Sequence, residues 1–366
     1  MMNLQRYPLL IAVAIAFAQQ SNAQTTATTD PVGFVTISNA AGTVTTKRNT
    51  FFSIPLQEVE SITGQVAGTL TGVTSNSLIN TNAGWSPGQL SQPATPYIVQ
   101  LTSGAGAGRI FLIASSVSTN GSSGSAALAN TATNIFISPL DSVVVNLTNI
   151  GVAAGDAYKI YACDTLSSFF GTPASSGVRG GTATTNADTV TTLINGAPAT
   201  YWYNTSSNRW SRQGPGSPDS GNVALVPNYG IVYGRQTNTP LVFIVTGQVP
   251  TSARAALVKN SGQTLLSSYW PATTTLSNIG LQNLPIWTGA AVFSNADFVT
   301  LTLGGSPSNF WWDPTANSGA GAWRRQGPGN VITNPTIEIG TSVQITQRGS
   351  TPGYTPITNN VPYTLN

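Results

Sequence analysis

One phrase in this chain is written twice at a constant spacing. Asn186-Ala187-Asp188 and Val190-Thr191 recur 109 positions later as Asn295-Ala296-Asp297 and Val299-Thr300. The same offset matches Gly171 with Gly280, Gly196 with Gly305, Pro198 with Pro307, and Tyr201-Trp202-Tyr203 with Phe310-Trp311-Trp312. Thr165-Leu166-Ser167, just before Gly171, has its copy in Thr275-Leu276-Ser277. Four residues are then added to the later copy. At an offset of 113, Trp210, Arg212, Gln213 and Gly214-Pro215-Gly216 match Trp323, Arg325, Gln326 and Gly327-Pro328-Gly329, and Arg235 matches Arg348. Matches in two fixed registers mark a duplicated supersecondary unit. The chain therefore has to fold as two related bodies.

The runs between turn residues are short and alternating or β-branched. Examples are Gly33-Phe34-Val35-Thr36-Ile37, Tyr97-Ile98-Val99-Gln100-Leu101, Arg109-Ile110-Phe111-Leu112-Ile113, Val143-Val144-Val145-Asn146-Leu147 and Leu241-Val242-Phe243-Ile244-Val245. These are strand signals, and no segment after the N-terminus holds a helical period over three turns. An all-β fold follows: two related antiparallel units, sandwich-like or barrel-like, with a β-rich insertion in the first. Weaker echoes set the boundaries. Val245-Thr246 and Val249-Pro250 resemble Ile357-Thr358 and Val361-Pro362, while 241–249 resembles the first strand, 32–37. The expected division is unit A at 24–59 and 159–240, the insertion at 60–158, unit B at 241–352 and a closing strand at 353–366. The Gly/Ser/Ala stretch 119–129 reads as a flexible loop inside the insertion.

Residues 1–23 read as an export signal: Arg6, an apolar run from Pro8 to Ala18, and the small-residue site Ser21-Asn22-Ala23. A secreted or cell-surface location follows, with no later segment apolar enough to cross a membrane as a helix. Only 7% of residues are charged while 40% are hydrophobic. That supplies cores and excludes a disordered chain. It also leaves a surface of hydroxyls and amides with little electrostatic repulsion between copies. The net charge of +3 is too small an excess to indicate nucleic acid. Cys163 is the sole cysteine, so no internal disulfide forms, and its apolar surroundings mark it as a buried core residue.

The opening Asp30-Pro31-Val32-Gly33-Phe34-Val35-Thr36 directly follows the export signal. With it go Ser53-Ile54-Pro55-Leu56, Gly84-Trp85 with Gln89, Leu101-Thr102-Ser103-Gly104-Ala105, Thr165-Leu166 with Phe169-Phe170, and Tyr201-Trp202-Tyr203 with Trp210 and Arg212. Together these resemble a family of secreted proteins found mainly in Verrucomicrobia, over nearly the whole exported chain. The resemblance implies export and architecture and names no reaction. This chain departs from it in reading Trp-Ser-Arg-Gln and Trp-Arg-Arg-Gln where relatives often read Trp-Arg-Lys, and in its scarcity of charge.

Chemistry is thinly represented. With no histidine, the usual general base, the commonest metal ligand and every Ser-His or Cys-His pair are missing. The eleven acids are scattered, and only Glu58 and Glu60 are near neighbours, where a glycosidase needs two carboxylates across a sugar. Neither a metal site nor a cofactor is expected. Gly104-Ala105-Gly106-Ala107-Gly108 lacks the Lys-Ser/Thr and the helix that make a phosphate loop, and lies between two strand runs as a hairpin connection.

The repeated aromatic hairpin carries the most information. Three aromatics lead into a polar turn, and the returning strand bears Trp, Arg and Gln before Gly-Pro-Gly. Period-two alternation puts Trp210 with Arg212, and Trp323 with Arg325, on one face; Trp202 and Trp311 point away from their neighbours. In one reading these residues are the structural core of the repeat, with Arg212 and Arg325 lying over aromatic rings or pairing with Asp188 and Asp297. In the other, Trp202 and Trp311 are open platforms on which sugars stack. The function expected is that of an exported, non-catalytic structural or surface protein that self-assembles through strand contacts. Its partner would then be another copy, as oligomer or filament. The alternative is a carbohydrate-binding module whose partner is a cell-surface glycan.

Overall fold

A computed structural model describes residues 31–58, 62–115, 128–138, 145–194, 197–303 and 306–363. The expected export signal and most of the Gly/Ser/Ala loop lie outside the described residues. The first copy opens with β1 (Val32–Asn39) and β2 (Arg48–Phe52). The insertion follows as β3 (Ala67–Thr69), β4 (Gly72–Val73), β5 (Ser77–Ile79), β6 (Tyr97–Leu101), β7 (Ile110–Leu112), β8 (Asn134–Phe136) and β9 (Ala157–Ala162). The first copy resumes with β10 (Thr189–Ile194), β11 (Ala197–Asn204), β12 (Arg209–Arg212), β13 (Ile231–Arg235) and β14 (Leu241–Gln248). The second comprises β15 (Arg254–Lys259), β16 (Gly262–Ser267), β17 (Thr274–Thr275), β18 (Phe298–Leu303), β19 (Ser306–Asp313), β20 (Ala322–Arg325), β21 (Thr336–Ile337), β22 (Ser342–Gln347) and β23 (Tyr354–Asn359). Among the described residues the α-helices are single turns: α1 (Leu166–Phe170), α2 (Pro173–Ser176) and α3 (Leu276–Ile279).

The fold is all-β, and the duplication is repeated strand for strand. A five-stranded antiparallel sheet in the order β12-β11-β10-β13-β2 has its counterpart in β20-β19-β18-β22-β16. Each sheet is open and is faced by a two-stranded ribbon, β1-β14 in the first copy and β15-β23 in the second. Each copy is thus an open sandwich. The pairing assigns two segments differently from the sequence expectation. Leu241–Gln248 pairs with Val32–Asn39 and completes the first copy, and Tyr354–Asn359 pairs with β15 as its equivalent in the second. The expected end of the insertion at 158 falls inside β9, which belongs to the insertion's four-stranded sheet β3-β9-β6-β7. A strand was also expected over 143–147. Residues 143 and 144 lie outside the described residues, while Val145 and Leu147 are plugs of the insertion's core, in no strand.

Alternation explains the cores. Val35, Ile37, Phe243 and Val245 on the inner face of the first ribbon meet Val190, Tyr201, Tyr203, Trp210 and Tyr233 of the sheet. Ala256, Val258 and Ile357 meet Val299, Phe310, Trp323 and Ile345 in the second. Burying each of the larger side chains contributes about 1.5–3 kcal/mol. The repeated Thr-Leu-Ser starts a helical turn at the rim of each core. Thr165 Oγ1 accepts from Ser168 N at 3.0 Å, and Thr275 Oγ1 from Asn278 N at 3.4 Å, while Leu166 and Leu276 are fully buried.

The Gly-Pro-Gly motifs let the chain double back and cover an edge strand. After Gly214-Pro215-Gly216, Arg212 N donates to Pro218 O and Ser220 N to Trp210 O; after Gly327-Pro328-Gly329, Arg325 N donates to Val331 O and Thr333 N to Trp323 O. The opposite edges, β2 and β16, meet the other copy reciprocally. Phe52 bridges Thr341 and Leu266 bridges Tyr229. Ser53 N donates to Gly340 O at 2.8 Å, and Ser267 N to Asn228 O at 3.1 Å. Since 229 and 341 are equivalent by the strand registers, as are 52 and 266, the two copies are related locally as in a two-fold dimer.

Candidate functional site

Trp210 lies opposite Tyr203, and Trp323 opposite Trp312, in the antiparallel hairpins β11-β12 and β19-β20. Both are core. Trp210 stands 5.6 Å from Phe170 and 6.0 Å from Tyr203 between ring centroids, and its Nε1 donates to Gly171 O at 2.8 Å. Trp323 packs edge to face on Trp287 at 5.6 Å and on Trp312 at 5.8 Å.

Trp202 and Trp311 occupy the opposite sheet face, as alternation requires, but that face is covered as well. Trp202 is 5% exposed and Trp311 0%. Trp311 packs on Phe293 at 5.6 Å and donates to Ala290 O at 3.1 Å. The segment entering β18 runs beside the end of β19, with Ala290 N donating to Trp312 O, and Gly181 N donates to Tyr203 O in the same way in the first copy. With their rings shut in, Trp202 and Trp311 cannot serve as sugar platforms.

Arg212 and Arg325 are not core. Arg212 is half-buried, and Arg325 is exposed and donates to Ser308 Oγ at 2.9 Å. Among the described residues, neither pairs with Asp188 or Asp297. Asp188 instead accepts from Arg235 Nη1 at 2.5 Å, Tyr233 Oη at 2.7 Å, Arg179 N at 2.8 Å and Gln236 N at 2.7 Å. Burial, with the Asp188 carboxylate beside it, drives the Tyr233 phenol far above its ordinary pKa. Asp297 is also fully buried but accepts from two backbone groups, Thr288 N and Arg348 N, each at 2.7 Å.

The difference comes from register. Val190 faces Tyr233, and Val299 faces Ile345, so the structural offset here is 112. Arg235 is therefore equivalent to Gln347, and Gln236 to Arg348, which corrects the sequence match of Arg235 with Arg348. Arg348 swings outward over the rings of Phe293 and Phe298, 5.3 and 5.4 Å from their centroids. The two backbone donors to the aspartate survive in both copies; the ionic and phenolic donors exist in one.

Four further described aspartates hold local structure. Asp156 accepts from Ala153 N, Asp219 from Gly221 N, and Asp164 from Ser168 Oγ. Burial pulls the Asp313 carboxyl upward, but hydrogen bonds from Thr315 and the pair with Arg324 at 2.6 Å hold it below its ordinary range. Glu60 lies outside the described residues, and among the described residues no three His, Cys, Asp or Glu side chains gather as a metal site. Gly104–Gly108 joins β6 to β7 as a hairpin connection, with Gly104 and Gly108 at φ 75° and 85°. Cys163 is buried, and burial raises its thiol far above its ordinary pKa.

One surface stands out. The outer face of the β1-β14 ribbon exposes Val32 (77%), Phe34 (74%), Val242 (51%) and Ile244 (67%), beside Thr36, Ser38 and Thr246. The equivalent strand of the second copy is covered. There, Leu257 packs on the insertion's core, Ala255 N donates to Gly108 O at 2.7 Å, and Arg109 bridges Ala255 in parallel. By the pairing of Val35 with Val245 and of Ala256 with Ile357, Phe34 is the counterpart of Ala255. The insertion shields one ribbon and leaves the other bare. Sequence carried a trace of this, since 32–37 is apolar on both alternating faces where a strand covered on one side alone would be polar on the other.

No protein-family model, curated protein or solved structure matches this chain.

Proposed function

We propose that this is an exported, non-catalytic structural component of the cell surface that associates with copies of itself through strand contacts. The observation that carries the reading is the bare apolar ribbon β1-β14, whose counterpart in the same chain is buried. A contiguous apolar face on a chain this poor in charge favours association over dispersion. The engagement of Asp188, Asp297 and Asp313 in structural hydrogen bonds supports a role in shape and contact rather than proton transfer. The glycan-binding alternative loses its support with the burial of Trp202 and Trp311.

Sedimentation velocity and negative-stain microscopy on the chain starting at Gln24 test this, over a range of concentration and salt. Concentration-dependent assembly is expected, weakened by Ile244→Asp. A uniform monomer at every concentration would refute self-association.

A further inference from the structure

Resting on that reading, we infer that the contact is a closed, two-fold union of two copies in which β1 of each pairs antiparallel with β1 of the other. Among the described residues, β1 makes no backbone hydrogen bond other than its ladder to β14. Among the described residues, the competing edges of the two repeated units are occupied or blunted. Return loops cover β12 and β20, and the other copy meets β2 and β16. Gln57 begins to pair on the far side of β14, and Pro356 removes a donor from β23. The edge of β15 corresponding to that of β1 is the one taken by Gly108 and Arg109. Among the described residues there is a single such insertion, and it covers the second copy rather than the first.

A second copy fits the vacant edge on chemical grounds. The eight residues Val32–Asn39 contain no charge and no proline, so the strand meets itself without like-charge repulsion and with its donors intact. Pairing about a two-fold axis normal to the ribbon keeps both apolar outer faces on one side. It sets Val32, Phe34 and Ile244 of each copy into one continuous patch. Residues opposite each other must share a face, so the axis passes through a residue of β1 rather than between two. The same patch is used on both sides, so the contact closes at two copies and does not propagate.

Single cysteines on the outer face test the geometry, because the buried Cys163 thiol does not compete. Val32→Cys, Phe34→Cys, Thr36→Cys and Ser38→Cys are oxidised in the chain starting at Gln24, with exposed Val331→Cys as the control. Covalent dimer is expected to peak at Phe34→Cys or Thr36→Cys, fall off on either side, and be absent from the control, because a disulfide needs Cα atoms within about 7 Å. Phe34→Lys should leave the fold intact and weaken the dimer at least tenfold. Dimer or filament formation without a β1 cross-link would overturn this geometry while leaving self-association standing. Monomer in every variant and in wild type would overturn both.

Discussion

Replacing Asp188 by asparagine tests whether the buried clasp of the first copy is ionic in its energetics. Asp188 is fully buried, and its guanidinium partner Arg235 is 4% exposed. The substitution keeps the shape but turns an amide NH2 toward one of the donors and leaves the Arg235 charge without a counter-charge. Removing one member of such a pair costs about 3–5 kcal/mol. Asp297→Asn strips charge from two backbone hydrogen bonds and strands no cation, so about 1.5–3 kcal/mol is expected. The double variant Asp188→Asn, Arg235→Gln places the second copy's glutamine at the arginine position and removes the orphan charge. It should therefore be no less stable than Asp188→Asn alone. Urea unfolding at pH 7, followed by tryptophan fluorescence, measures all four proteins. An Asp188→Asn cost below about 1 kcal/mol, or a double variant clearly less stable than Asp188→Asn alone, would refute the reasoning.

Two further outcomes follow from the same contacts. Trp210→Phe should cost about 1–3 kcal/mol more than Trp323→Phe, because only Trp210 leaves a carbonyl, Gly171 O, without its donor, whereas the Trp323 indole N–H has no partner to lose; equal losses in urea titrations would contradict this. Stability should fall as pH rises above about 10. Burial raises the phenols of Tyr233 and Tyr269, and that of Tyr363 up to about 12, so the stability they contribute is whole below the unfolded value near 10 and is lost as pH climbs toward the folded values. Burial lowers the Arg254 guanidinium to about 10 and also lowers Lys47 and Arg109, which works in the opposite direction, but burial raises the phenols of Tyr158 and Tyr354 as well, so three cations stand against five phenols. A urea midpoint at pH 11 equal to that at pH 8 would contradict the expectation.

The hairpins were legible because their residues act locally. Thr165 caps the turn that follows it, Gly-Pro-Gly reverses the chain within a few residues, and alternation sets Trp202 opposite Tyr201 and Tyr203 whatever surrounds them. The likeness of Arg235 to Arg348 misleads because a register shift of a single position lies between the Gly-Pro-Gly turn and β13, in a stretch with no shared landmark. Strand pairing, not residue identity, revealed it. Leu241–Gln248 resembles the start of a new unit for a related cause: β1 and β14 are partners in one ribbon and carry similar apolar patterns.

The chain by itself determined that it is all-β, that a unit is repeated, and which side chains share a face. Those properties depend on neighbours within a strand or turn, and the periodicity of two is intrinsic to the backbone. Whether a face is covered depends on segments far away in sequence. Tertiary packing alone decided that Trp202 and Trp311 are enclosed, that Asp188 holds Arg235 rather than Arg212, and that the insertion screens β15 and not β1. Alternation specifies two faces; only the assembled fold specifies what lies against each.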